Sequence, residues 1–228
     1  MSETESKNAR RDFSDEQNLS AKKKAARSLA RSLLKSLGAA ERKAQSQKAA
    51  LSFINSTIYK NADCLAAFYS LPDEIDTLPI IARFFLDKKR VFLPRIVFGS
   101  NQMEFYEIAS PFDLANNSAL ILAVKAALEA QTEPNAWKIR EPLLSLPTIE
   151  KKKMPARTAI LVPGLAFSKD GRRLGRGKGF YDRYLSELMK KNEAFRREGK
   201  ICGYCFDFQI VDDIPIEEND VLMQAVFF

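Results

Sequence analysis

The chain contains no histidine among its 228 residues, and only three cysteines, nine glycines and one tryptophan. Without histidine there can be no Ser-His-Asp or Cys-His relay and no His-containing zinc site. The side chain that ordinarily titrates near neutrality is missing too. Any acid, base or metal ligand must therefore be Asp, Glu, Lys, Tyr or Cys. Three cysteines are an odd number and too few for a disulfide framework. Cys202 and Cys205 have redox spacing, but the surrounding ICGYCFDF reads as a strand, on which positions three apart face opposite sides. These two and Cys64 are expected to be small buried apolar residues. No stretch reaches the ~18 uninterrupted apolar residues of a membrane span, the best candidate, 119–128, being broken by Lys125. The polar start MSETESKNARRDF lacks the apolar segment of a secretory signal. A soluble cytoplasmic protein is expected.

What is present is an ordinary globular composition, 46% apolar and 29% charged. The formal net charge is +7, and residues 21–48 alone carry nine Lys/Arg against one acid. Positive charge concentrated in this way points to an anionic partner: nucleic acid, a lipid surface or a phosphorylated small molecule.

Residues 1–18 are polar and aperiodic and read as a disordered or frayed leader, ahead of a single domain over 19–228. A helix is predicted from Ser20, as cap, to Leu37, with Ala25, Ala26, Leu29, Ala30, Leu33, Leu34 and Leu37 as its apolar stripe and Gly38 as its stop. A second is predicted over 40–59, with Leu51, Ile54 and Ile58 facing inward. Strand 64–69, a turn at Leu71-Pro72-Asp73, helix 76–87 and strand RVFLPRI, stopped by Pro94, form the succession of a parallel sheet with helical crossovers. Strand MEFYEI and helix 118–130 come next, then a proline-rich ordered loop over 131–155. Strand TAILVPG, a glycine-arginine loop, helix 179–192, strand ICGYCF and a closing strand VLMQAVF complete the chain. The fold class is α/β: one three-layer α/β/α domain with a mostly parallel, Rossmann-like sheet of about six strands.

The most informative run is PGLAFSKDGRRLGRGKGFYDRY, from Pro163 to Tyr184. Gly175, Gly177 and Gly179 alternate with Arg176 and Lys178 directly before a helix. Glycine lets backbone approach a ligand closely, and a helix N-terminus adds unpaired N–H groups and partial positive charge. These features, with Arg172 and Arg173, suit a polyphosphate. The run matches neither the Walker A pattern nor the dinucleotide fingerprint, because Phe180 stands where the third glycine of the latter belongs. Asp182, within one turn of the loop, is either a ligand for a loop-bound magnesium-type cation or a favourable first-turn acid.

The run PGLAFSKDGRRLGRGKGFYDRYL resembles the signature of the 5-formyltetrahydrofolate cyclo-ligase (5,10-methenyltetrahydrofolate synthetase) family. KKAAR (23–27), FYSLPDEIDT (68–77), RVFLPRI (90–96), WKIREP (137–142) and EEND (217–220) resemble further family elements in the same order. The resemblance implies cyclisation of 5-formyltetrahydrofolate to its 5,10-methenyl form with ATP and Mg2+. It implies that Lys23, Arg27, Arg173, Leu174, Gly175, Arg176, Gly177, Lys178, Gly179, Phe180 and Tyr181 contact ATP. Tyr69, Glu74 and Trp137, with Arg176, Gly177, Lys178, Gly179 and Phe180, would contact the folate, in its simple or polyglutamylated form. Arg176 and Lys178 would stabilise the transferring phosphoryl group, and Asp182 and Asp220 would hold the metal. Two departures are visible: a helical insertion at 115–135, and Phe180 in place of a common tyrosine. The implied partner is a small molecule and the chain a monomer. The competing readings are another phosphate-handling α/β enzyme, such as a sugar-phosphate isomerase or a CoA-transferase-like protein, and a nucleic-acid-binding protein using the basic helix. The last lacks any helix-turn-helix, zinc-finger or RNA-recognition signature.

Overall fold

The computed structural model describes residues 3–111, 119–217 and 219–228, with 3–17 described by backbone alone. The chain begins with helices α1 (Glu3–Ser36), α2 (Ala39–Asn55) and α3 (Thr57–Asn61), followed by strand β1 (Cys64–Ala66), α4 (Leu78–Leu86), β2 (Arg90–Ile96), β3 (Met103–Ile108) and α5 (Leu120–Ala130). Strands β4 (Thr132–Pro134), β5 (Arg140–Pro142), β6 (Thr148–Ile149), β7 (Thr158–Val162), β8 (Ala166–Ser168) and β9 (Arg173–Leu174) come next. The remainder is α6 (Phe180–Lys191), α7 (Glu193–Glu198), β10 (Lys200–Tyr204), β11 (Ile210–Val211) and β12 (Ala225–Phe227).

Seven strands form the main sheet in the order β12-β10-β7-β1-β2-β3-β6. The first five are mutually parallel, while β3 and β6 are antiparallel additions at one edge. Buried on both faces, the parallel strands are continuously apolar. Along β7, Ala159 and Leu161 point into the core beneath α2, α4 and α5, and Ile160 and Val162 into the core beneath α6 and α7. Cys202 and Cys205 fall in opposite cores, free and buried, as the period-two argument requires. Chain order places β2 on one side of β1 and the later β7 on the other, so the direction of winding reverses at β1. Open α/β sheets bind ligands beyond the strand C-termini at such a switch point.

Several elements differ from the sequence expectation. Backbone helicity in α1 begins at Glu3 rather than Ser20. Its inward face keeps Ala30 and Leu34 of the expected stripe, but Leu29 and Leu33 are 64% and 44% exposed, and Lys23, outside that stripe, is buried. The single helix expected over 40–59 breaks at Ser56, whose hydroxyl caps α3 by accepting the Tyr59 N–H at 3.2 Å. Leu51 points to solvent, and Phe53 fills the core position instead. Strand β2 runs through Pro94. The Phe92 carbonyl faces β1, where it accepts the Ala67 N–H; Pro94, two residues on, faces the same side after β1 has ended, so its missing N–H costs no ladder bond. The stretch 131–155, expected to be a loop, contains the β4–β5 hairpin and edge strand β6. The expected helix 118–130 is α5, while residues 115–118 of the expected insertion lie outside the described residues.

Phe53 sits against the rings of Tyr59, Phe84 and Phe227, with centroids 5.0–6.4 Å apart. Phe53→Ala is expected to cost about 3–5 kcal/mol through the cavity it leaves. Leu51→Ala, two residues away, should stay within about 0.5 kcal/mol of wild type. Denaturant midpoints of the two variants measure the contrast.

Candidate active site

Two loops leave the C-terminal ends of the switch-point strands and face each other. The first follows β1. Thr77 Oγ1 donates to the Phe68 carbonyl at 2.8 Å and pairs with Ser70 Oγ at 3.0 Å, cinching the loop at its base. Within it, Leu71-Pro72-Asp73-Glu74 makes a β-turn with Pro72 at the position that favours its fixed φ, closed by Glu74 N–H to Leu71 O at 2.9 Å. The Leu71 N–H in turn donates to Glu74 Oε2 at 3.1 Å, fixing the carboxylate.

The second loop follows β7, folds back as the β8–β9 hairpin and enters α6. Gly177 has φ +101° and Gly179, the residue before α6, φ +65°, backbone that side-chain-bearing residues rarely adopt. Arg27 Nε donates to the Gly175 carbonyl at 3.0 Å, so α1 braces this loop. Positions 23, 27, 30 and 34 lie on one helical face; Ala30 and Leu34 dock it on the core, and the same docking carries Lys23 and Arg27 to the cleft.

Between the loops lies a cleft of about 450 Å³. Every contact residue that the family resemblance implied lines it: Lys23, Arg27, Tyr69, Glu74, Trp137, the run 173–181, Asp182 and Asp220. Arg172 does not, being turned onto Asp170 and Asp213. Arg173 donates from Nη2 to both oxygens of Asp182 at 2.8 Å. Lys23 reaches Asp220 at 2.7 Å and Glu217 at 3.0 Å. Arg176 crosses the cleft to the first loop, where it pairs with Asp73 and Glu74. Lys178 lines the same cleft, and none of the ion pairs there among the described residues involves it. Burial pushes the Glu74 carboxyl above the ordinary carboxylate range, against the lowering effect of Arg176 and the Leu71 N–H. Burial likewise raises the Tyr181 phenol, whose hydroxyl has no hydrogen-bond partner among the described residues.

Sequence reasoning missed four polar groups here. Arg140 lies over the Tyr69 ring, 5.9 Å from its centroid, and Arg183 over Phe180 at 5.6 Å. Glu217 shares Lys23 with Asp220, and Asp73 shares Arg176 with Glu74. All four sit inside motifs quoted above, but only the packing shows which neighbour each of them meets. The apolar wall of Pro94, Ile96 and Met103 was missed as well, because it depends on β2 continuing past its proline.

Asp182, Asp220 and Glu217 supply the oxygen donors that magnesium prefers. Both contacts to Asp220, from Lys23 and from the Glu217 N–H, fall on Oδ2, leaving Oδ1 uncommitted among the described residues. Asp182 is committed to Arg173 through both oxygens, with the Val221 N–H 3.5 Å from Oδ1. Among the described residues no three acids are gathered closely enough to hold a metal ion by themselves, so a cation here would need further oxygens, such as those of a phosphate, with Asp220 the more available protein ligand.

The chain is thus an α/β protein with a cleft at the switch point of its parallel sheet, walled by a cationic glycine loop. The family model described as the 5-formyltetrahydrofolate cyclo-ligase family matches residues 19–228. A relative from Mus musculus, named 5-formyltetrahydrofolate cyclo-ligase, is 32% identical over 195 residues, 86% of this chain and 87% of its own. One of the same name from Escherichia coli is 30% identical over 165 residues, covering 72% of this chain and 77% of its own. The solved 5,10-methenyltetrahydrofolate synthetase of Aquifex aeolicus superposes with a TM-score of 0.66 at 24% identity, over 90% of this chain and 88% of that one, and shows the same fold. The chain belongs to the 5-formyltetrahydrofolate cyclo-ligase family.

The Arg173 side chain is 6% exposed and takes both of its Asp182 bonds through one nitrogen. Asp182→Asn is therefore expected to lower stability by about 1.5–3 kcal/mol, the range for a hydrogen bond to a charged group. Thermal unfolding in the presence of a chelator checks this, since the loss must appear without any metal.

Proposed function

We propose that the protein closes 5-formyltetrahydrofolate to 5,10-methenyltetrahydrofolate, with ATP and Mg2+, as a monomer acting on a small molecule and with no nucleic-acid or membrane partner. The observation that carries this reading is the meeting of Arg176 with Glu74, which brings a cationic phosphate-type loop against a buried carboxylate in one cleft. Among the described residues no helix is long and apolar enough to cross a membrane.

The N5-formyl group is amide-like, and its oxygen is a poor leaving group. Transfer of the γ-phosphoryl group to that oxygen, with release of ADP, converts it to a phosphate ester. N10 then attacks the formyl carbon, the C–O bond breaks with departure of phosphate, and N10 gives up its proton to leave the methenyl bridge. The nucleophile belongs to the substrate, so the protein is asked for positioning and for charge stabilisation. A chain without histidine suffices for that. Lys23 and Arg27 on α1, with Arg173, hold the triphosphate. Arg176 and Lys178 stabilise the transferring group, assisted by backbone N–H groups of the glycine loop. Glu74 accepts N–H groups of the pteridine, and Tyr69, Trp137 and Phe180 supply flat apolar contact. Asp220 and Asp182 would hold the metal, which when bound neutralises phosphate charge.

Arg176→Ala or Lys178→Ala is expected to cut kcat by about one to three orders of magnitude, read as nucleotide-dependent appearance of the methenyl absorbance with phosphate release. Product formed without nucleotide, or near-normal turnover in both variants, would refute the assignment. The pH response has a definite sign. Glu74 takes up its proton at a higher pH than a free glutamate, which titrates near ~4.3. Folate affinity should therefore be present at neutral pH and fade as pH falls, starting above the ordinary glutamate value. In Glu74→Gln that acid limb should flatten, at lower affinity throughout, as measured by folate-analogue binding across pH.

A further inference from the structure

Arg176 is anchored by more than the carboxylate assigned to the pteridine. Its Nε donates to Glu74 Oε1 at 3.1 Å, while its Nη2 lies 3.0 Å from the same oxygen and 2.9 Å from Asp73 Oδ1. Nη1 carries no hydrogen bond among the described residues. One edge of the guanidinium is thus bound to the first loop, and the other edge is left for a ligand.

Glu74 is a poor sole anchor for this arrangement. Its side chain is 11% exposed, Oε2 already accepts the Leu71 N–H, and Oε1 is the oxygen that Arg176 uses. A pteridine donating two N–H groups to this carboxylate competes with Arg176 for Oε1. Asp73 suffers no such competition. It is the i+2 residue of the turn that presents Glu74, its side chain is 37% exposed, and its contact with Arg176 uses a different acceptor. An arginine turned loose when the folate arrives would have to be ordered again in the transition state, at an entropic cost that preorganised groups avoid.

We propose that Asp73 is a positioning residue: it holds the Arg176 guanidinium in place while the pteridine takes Glu74, so that Nη1 faces the phosphoryl group in transit. The inference rests on the reading of function given above. Asp73 touches neither substrate, and its effect passes entirely through Arg176.

The test is a kinetic cycle on the full chain. Asp73→Asn should lower kcat about five- to tenfold while the KM of each substrate stays within about twofold, the pattern of an interaction made in the transition state. In an Arg176→Ala background the same change should have no further effect, because two residues acting as a unit are non-additive. Asp73→Glu should recover at least half of the lost kcat, and the thermal midpoint of Asp73→Asn should match wild type. A wild-type kcat in Asp73→Asn overturns the inference, as does a loss that adds fully to that of Arg176→Ala, or one that appears in KM alone. If wild type itself makes no methenyl product with nucleotide, the reading of function fails first and this inference with it. Nucleotide-dependent turnover in wild type together with an inert Asp73→Asn sinks the inference alone.

Discussion

Five cations, Lys23, Arg27, Arg173, Arg176 and Lys178, converge on one cleft of about 450 Å³, and like charges at such separations repel. The architecture of the site follows from the need to hold them there before a polyanion arrives. Four of the five are tethered. Arg173 lies on Asp182, Lys23 on Asp220 and Glu217, Arg176 on Asp73 and Glu74, and Arg27 on the Gly175 carbonyl. Each tether also joins two parts of the fold: α1 to the C-terminal segment, hairpin to α6, one cleft loop to the other. The contacts that tether the cations are thus the contacts that shape the cleft. A carboxylate can release its cation to a phosphate when another donor takes the cation's place, so the ligand-free pairing is also a store of preorganised charge.

The sheet determines where those tethers can meet. Because β1 is laid down first and β2 and β7 are added on opposite sides, the segments leaving β1 and β7 both emerge at the switch point without crossing another connection. One becomes the turn bearing Glu74, the other the glycine-arginine loop. Helix α1 closes the third side. A conventional amphipathic helix would bury leucines along its whole inward stripe, but α1 buries Ala30 and Leu34 and continues the same face into Arg27 and a buried Lys23. Apolar docking at the C-terminal half aims charge at the N-terminal half.

Much of this was legible in the sequence. The α/β class, the parallel strands and the helix after the glycine loop rest on patterns that packing does not override: continuous β-branched and aromatic runs, and glycines at a strand-to-helix junction. The residues of the cleft were legible because their motifs are long. The faces of α1 and α2 were not. Leu29, Leu33 and Leu51 satisfy an apolar period as well as the residues that are buried, and only the sheet beneath the helix decides which phase wins. Pro94 misled for a related reason. Its effect depends on whether a neighbouring strand occupies its N–H side, a tertiary fact with no local signal. Asp73 and Glu217 were hidden by proximity, each beside or near a more conspicuous acid in the same turn.

The net charge illustrates the same limit. Nine basic residues between positions 21 and 48 suggested a surface for an anionic partner, yet the helix uses them in different ways. Lys23 and Arg27 turn into the cleft. Arg42 turns back on the end of α1, donating to the Leu34 and Leu37 carbonyls that the helix leaves unsatisfied. Lys48 pairs with Asp207 across to the 3-10 turn after β10. Lys22, Lys24, Arg31 and Lys35 are exposed. A charge count reports the sum of these roles and cannot divide it. What divides it is helical phase: a lysine one position away from Lys23, on either side, points to water, and the difference between a solvated face and a phosphate-binding wall is a rotation of about 100° about the helix axis.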